Sequence, residues 1–187
     1  MTFFESRDVV RHPLVKRVVQ ATKRMSDSKT PSDSCAVSVS RTETSDTAPD
    51  DHQLQQWAHH ALDCMNSTGS IDIHVCGSED IQHLNAQYRR QDKPTNVLSF
   101  PADIHPETGI NHLGDIIACD EVILREAREQ DKPLEHHWAH MITHSVLHLL
   151  GFDHMNDSDA AEMEAIEQQI LAKLGISDPY RTTENGE

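Results

Sequence analysis

Six of the chain's 14 histidines fall between residues 136 and 154, in the run HHWAHMITHSVLHLLGFDH. Within it, His144 and His148 are four residues apart. On a helix such residues project from one face, a turn apart, so both imidazoles can reach the same metal ion. Gly151 follows, and glycine accepts the left-handed conformation that ends a helix and reverses the chain. His154 lies three residues beyond that glycine and can swing back as a third ligand. Three neutral histidines with an open fourth position describe a catalytic zinc site, not a closed structural one. Val146, Leu147, Leu149 and Leu150 would bury the other faces of the helix and hold the ligands still. His136, His137 and His140, further back on the same helix, are read as solvated or hydrogen-bonded residues.

The spacing H-x-x-x-H-x-x-G-x-x-H is that of the metzincin metallopeptidases. Their Glu after the first His is the base that activates water. Here that position is Ser145, which has no useful basicity at neutral pH. The ligand spacing of a zincin is present without its base, so a zinc peptidase is the weaker reading.

The elements that must position these histidines follow from apolar periodicity. Val37 and Val39 alternate in AVSVSRT, as in a strand. A loop ending near Asp50 and Asp51 leads to a helix carrying Leu54, Trp57, Ala61, Leu62 and Met65 on one stripe. SIDIHVC is a second strand, and Ser78 is expected to cap a helix running to about Tyr88. TNVLSF (95–100) and LGDIIAC (113–119) are two short apolar segments with β-branched residues. Asp120 is expected to cap a helix through about Gln130. The histidine helix runs from near Pro133 to about Leu150, and a last helix from about 157 to 174, closed by Gly175. The order β α β α β β α α α predicts an α/β (α+β) fold, with a mixed sheet of about four strands packed by helices.

A chain of 187 residues suits one domain. Residues 35–180 are read as that domain, 181–187 as a C-terminal tail and 1–34 as a loose N-terminal tail. Within this last segment 1–25 has the pattern of a short amphipathic helix, and SDSKTPSDS (26–34) reads as a linker. The cysteines at 35, 64, 76 and 119 show no C-x-x-C spacing and are read as reduced packing thiols. No apolar run approaches the roughly 18 residues that span a bilayer, and charges interrupt the N-terminal segment too often for a secretory signal. The expectation is a cytoplasmic protein with no membrane partner. With 31 acidic and 16 basic residues the net charge is −15, a poor default for nucleic-acid binding, whose affinity comes largely from Lys and Arg on phosphates. The charge is uneven, since residues 1–30 hold seven basic and three acidic residues.

HSVLHLLGFDH (144–154) resembles the motif H-G-x-L-H-L-x-G-[FY]-D-H of the YbeY family of bacterial endoribonucleases, or rRNA maturation factors. It fits at every position except Ser145, where Gly is usual. LNAQYRRQDKPTNVLSFP (84–101) is similar to the family's LN-x-x-YR…PTNVLSFP, LGDI (113–116) to a third signature, and the acidic last helix with Met163 and Glu164 to a fourth. The resemblance covers roughly 36–180. It implies a single-strand-specific, metal-dependent endoribonuclease acting on the 3′ end of 16S ribosomal RNA and in ribosome quality control. It also implies one zinc per chain on His144, His148 and His154, a functional Arg89, and the small ribosomal subunit with its assembly proteins as partners. Arg89 offers a permanently charged fork suited to phosphate. Arg90 and Lys93 are candidates to track the RNA backbone. Asp153 and, more weakly, Asp115 are candidates to orient a ligand, and Ser145 is a candidate to narrow the groove. The nucleophile is left open between water and the RNA 2′-hydroxyl. Two alternatives stand beside the nuclease: the zinc metallopeptidase, and a non-catalytic ribosome-assembly factor whose metal is structural. With so acidic a chain, RNA binding is expected to be weak and salt-sensitive, and to need the Arg89–Lys93 patch, the metal and the basic tail.

Overall fold

The computed structural model describes residues 35–42, 47–102, 111–153 and 157–180. The expected N-terminal helix and linker, the C-terminal tail and His154 lie outside the described residues. Among those described, the chain runs β1 (Ala36–Arg41), α1 (Asp51–Cys64), β2 (Ser70–Cys76), α2 (Ser78–Arg89), β3 (Val97–Pro101), β4 (His112–Cys119), α3 (Asp120–Glu129), α4 (Leu134–Leu149) and α5 (Asp157–Lys173). The four strands form one mixed sheet in the order β1-β2-β4-β3. β1, β2 and β4 are parallel, and β3 joins β4 antiparallel. The alternation in β2 places Ile71, Ile73 and Val75 in the main core, which α1 and α4 close against the sheet and α5 joins by packing on those two helices. The opposite face carries a smaller core of Cys76, Ile81, Leu84, Leu98, Ile117, Cys119 and Val122 under α2 and α3. All four cysteines are free thiols, with Cys76 and Cys119 buried.

Helix α4 carries five histidines, yet it is buried on most of its faces, polar His137, His140, Thr143 and Ser145 included. Trp138, Ala139, Ile142, Val146 and Leu147 are completely buried, and α4 touches α1, α3, α5, β3 and β4. The histidines therefore ride on the most enclosed element of the fold, where packing holds rotamers still.

Two expected helix caps differ. The N-cap of α2 is Gly77 and that of α3 is Cys119, neither with a side-chain cap hydrogen bond. In both places a strand runs almost directly into a helix, so the last extended residue is one position earlier than the Ser or Asp. Ser78 instead donates to Glu121, and Asp120 accepts from Thr47 at 3.2 Å. Asp50 does cap α1, accepting from Gln53 N at 2.8 Å.

Gly114, in the LGDI segment, has φ +146°, and a Cβ there would lie 2.2 Å from the Phe100 carbonyl oxygen and 2.8 Å from Leu149 Cδ2. The β3–β4 pairing and the seating of α4 both need a bare backbone at this point. Gly114→Ala is expected to cost at least about 2 kcal/mol in denaturant unfolding. Gly151→Ala, where φ is +94° but nothing lies within 4 Å, should cost only about 1–2 kcal/mol. Equal losses would contradict the close-approach argument.

Glu126 on α3 accepts from His137 Nε2 of α4 at 3.0 Å and from Asn96 Nδ2 before β3 at 3.0 Å. Burial would raise its carboxyl pKa, but the hydrogen bonds from His137 and Asn96 outweigh that and hold it below its ordinary 4.5. A depressed carboxylate stabilises the fold above its unfolded pKa and loses that contribution as pH falls through the folded value. Glu126→Gln should therefore cost about 1–2 kcal/mol at pH 7. The gap to wild type should narrow below pH 4.5, as thermal melts across pH will show.

Candidate metal and phosphate site

Helix α4 ends in a double hydrogen-bonded turn. Gly151 N donates to His148 O at 3.0 Å and Phe152 N to Leu147 O at 3.1 Å, the paired reversal that a left-handed glycine permits. It turns the Phe152 carbonyl back onto the helix, where it accepts from His148 Nδ1 at 2.9 Å. A carbonyl has no proton to give, so Nδ1 is the donor and the Nε2 of a neutral His148 carries a lone pair.

His144 is fixed in the same sense by a different partner. Its Nδ1 lies 2.6 Å from Glu167 Oε1. Glu167 is fully buried on α5, among Met163, Ile170 and Leu171. Its other oxygen faces His140 Nε2 at 3.2 Å and accepts from the Tyr180 hydroxyl. Burial would push this carboxyl up, yet the hydrogen bonds from His140 and His144 outweigh it and hold Glu167 at about 2. An ionised carboxylate only accepts, so His144 also holds its proton on Nδ1 and points a lone pair outward from Nε2.

The two Nε2 atoms face each other 3.1 Å apart. Two lone pairs at that distance repel unless a proton or a cation lies between them. The separation suits two nitrogens that each bind one zinc at about 2.0–2.1 Å. The second ring nitrogen of each histidine is hydrogen-bonded in the way that fixes ligand tautomers at metal sites. The residues present therefore fit a metal held through His144 and His148. His140, His144 and Glu167 also bring donor atoms within 4.8 Å of one another. Because Glu167 already serves both imidazoles and Tyr180, that trio is a hydrogen-bonded brace.

His144 and His148 line a cavity of about 310 Å³ together with Arg89, Asn96, Val97, Ser99, His140, Met141 and Tyr180. Arg89 is the last residue of α2, so the structure brings the predicted arginine and two predicted ligands to one opening. Arg90 follows in the left-handed conformation, φ 56°, and is exposed, as is Lys93. The α2–β3 turn is tied by Asn85 Nδ2 donating to Lys93 O at 2.8 Å. Asp153 is exposed beyond the α4 turn. Two candidates are placed elsewhere. Ser145 is fully buried and does not line the cavity, so a direct effect on the groove is not what the structure gives it. Asp115 sits on the sheet beside His112, at 3.6 Å, and Asp72, apart from the imidazoles of α4. His137 and His140 are hydrogen-bonded, to Glu126 and to Glu167 and Tyr180.

Sequence reasoning passed over Glu167, Tyr180 and Asn96. For Glu167 a signal existed: it shares an apolar stripe with Met163, Ile170 and Leu171, where a charge must have a partner. Its loss gives a direct test. Glu167→Gln keeps the shape but presents an amide to His144, and metal affinity in a chelator competition should fall roughly 10- to 100-fold. Unchanged affinity would show that Glu167 does not orient the ligand.

Residues 14–175 match the family model described as Endoribonuclease YbeY. The match begins well before residue 36, so part of the segment that sequence reading set apart as a tail lies within it. The solution structure of TM1509 from Thermotoga maritima, described as VT1, a NESGC target protein, is 20% identical. That similarity covers 78% of this chain and 99% of that one, with a TM-score of 0.49. With a single model matched across most of its length, the chain belongs to the YbeY endoribonuclease family.

Proposed function

We propose that this endoribonuclease is zinc-dependent and cuts single-stranded RNA, acting on the 3′ end of 16S ribosomal RNA and in ribosome quality control. In this reading residues 35–180 are the catalytic domain, flanked by tails at 1–34 and 181–187. The protein works in the cytoplasm on the small ribosomal subunit and its assembly proteins. No helix among the described residues is long and apolar enough to cross a membrane. The observation that carries the chemistry is the apposition of the His144 and His148 Nε2 atoms in the cavity that Arg89 also lines.

His144, His148 and His154 would hold one zinc ion. When bound, zinc supplies a Lewis acid that polarises a phosphoryl oxygen and acidifies water. The chain's own residues do the rest. Glu167 and the Phe152 carbonyl keep the Nδ1 protons in place, so both Nε2 atoms stay unprotonated and aimed. Arg89 binds the phosphate and meets the charge that develops on it, and its planar fork pairs two oxygens at once. Arg90 and Lys93 extend the positive edge along the backbone of the strand. Asp153 would orient a ligand histidine or cap the turn after α4.

The test is cleavage of a defined single-stranded RNA by highly purified, zinc-loaded protein. His148→Ala should lose zinc and cleavage together. Arg89→Ala should keep its zinc and fall at least about 100-fold in kcat/KM. Wild-type cleavage by His148→Ala would contradict the metal role. Zinc without nuclease activity in the wild type would point to a structural metal in an assembly factor.

A further inference from the structure

Tyr180 is the one exposed large hydrophobic residue among those described, at 39%, and it stands at the mouth of the cavity that holds His144, His148 and Arg89. Its position is fixed from several sides. The Tyr180 N–H donates to Asp178 Oδ1 at 2.9 Å, and the same oxygen accepts from Gln168 Nε2 of α5 at 3.2 Å. The carbonyl of the preceding Pro179 accepts from Lys132 Nζ at 2.5 Å. The Tyr180 hydroxyl is tethered to Glu167, and the ring meets His140 edge-on with centroids 5.4 Å apart. An aromatic ring so anchored and still open to solvent is preorganised to receive a flat ligand.

The rest of the cavity says which ligand. Its lining combines Arg89 and the imidazoles of His140, His144 and His148 with the apolar Val97 and Met141. Its volume of about 310 Å³ is at the small end of ligand pockets, which run roughly 300–1,000 Å³. A nucleotide has these two halves, an anionic phosphate and a flat base. We propose that Tyr180 is the platform of a nucleobase subsite: the base adjoining the cleaved phosphate stacks on its ring, beside Val97 and Met141, while the phosphate faces Arg89 and the histidines. The proposal rests on the ribonuclease reading and supplies a physical source for single-strand preference. Bases in a duplex are paired and stacked on one another, whereas a single strand can turn one base out onto an aromatic ring.

The hydroxyl and the ring make separable contributions. Through Glu167 the hydroxyl braces His144; the ring alone stacks. Tyr180→Phe keeps the ring, and Tyr180→Leu removes both. The test is steady-state cleavage of a single-stranded RNA hexamer by the zinc-loaded variants. It is paired with stopped-flow quenching of a 2-aminopurine placed beside the cleaved bond, read in the phase before cleavage. Wild type and Tyr180→Phe should quench the probe with the same KM. Tyr180→Leu should lose the quench and raise KM roughly 5- to 100-fold, the loss expected for one base stack. Tyr180→Trp, which keeps an aromatic platform, should restore both, and so covers a Leu variant that folds poorly. Replacing the stacked base by an abasic site should weaken wild type by a similar factor and leave Tyr180→Leu unchanged. The proposal is overturned if Tyr180→Leu retains KM and quench, or if Tyr180→Phe is as impaired as Tyr180→Leu, which would reduce Tyr180 to a brace for Glu167. Failure of the wild type to cut or bind the hexamer would instead bring down the ribonuclease reading itself.

Discussion

Two imidazole lone pairs facing each other across 3.1 Å are the constraint on which this structure turns. Left to themselves, His144 and His148 would rotate apart or share a proton. Each is held by its other nitrogen, one by a carboxylate that is completely buried and one by a main-chain carbonyl. Neither holder can donate a proton in that position, so the tautomer is decided by chemistry and not by chance. The cost of burying Glu167 is offset by the hydrogen bonds it accepts from His140, His144 and Tyr180.

The remaining architecture supports that pair. α4 is enclosed by three helices and two strands, which fixes the faces its histidines can present. β3 lies antiparallel at the end of the sheet and packs on α4. It sets Val97 and Ser99 in the cavity wall, and the end of α2 puts Arg89 in the same lining. Gly114 lets β4 approach Phe100 and Leu149 without a side chain between them. α5 packs on α4 with Met163, Ile170 and Leu171 in the core and delivers Glu167, and the segment after it delivers Tyr180. Net charge is a poor guide to such a site: the chain is strongly acidic, while the described residues that line the opening include an arginine and three histidines and no carboxylate.

What could be read from sequence was what local geometry decides. The four-residue spacing of His144 and His148 and the glycine after them specify a shared face and a reversal, because both depend on neighbouring residues alone. The order of strands and helices was legible for the same reason, through period-two and period-3.6 patterns. The order β1-β2-β4-β3 was not legible, since strand neighbours are chosen by packing across the whole chain. The caps expected at Ser78 and Asp120 moved because Gly77 and Cys119, still extended at the end of a strand, already occupy the N-cap position. Glu167 and Tyr180 escaped notice because their value comes from contacts 23 and 40 residues away in the chain, to His144 and His140. Ser145 attracted attention as a departure from a motif, yet it is packed inside the fold.

The central claim is that His144 and His148 are pre-set, by their Nδ1 partners, to bind one metal ion through Nε2. X-ray absorption at the zinc edge of the loaded protein tests it most directly. The expected spectrum is that of one zinc per chain with a first shell of imidazole nitrogens at about 2.0–2.1 Å, whose multiple-scattering signal weakens when His144 is replaced. A sulfur shell, a shell of oxygens alone, or a spectrum unchanged by that replacement would contradict it.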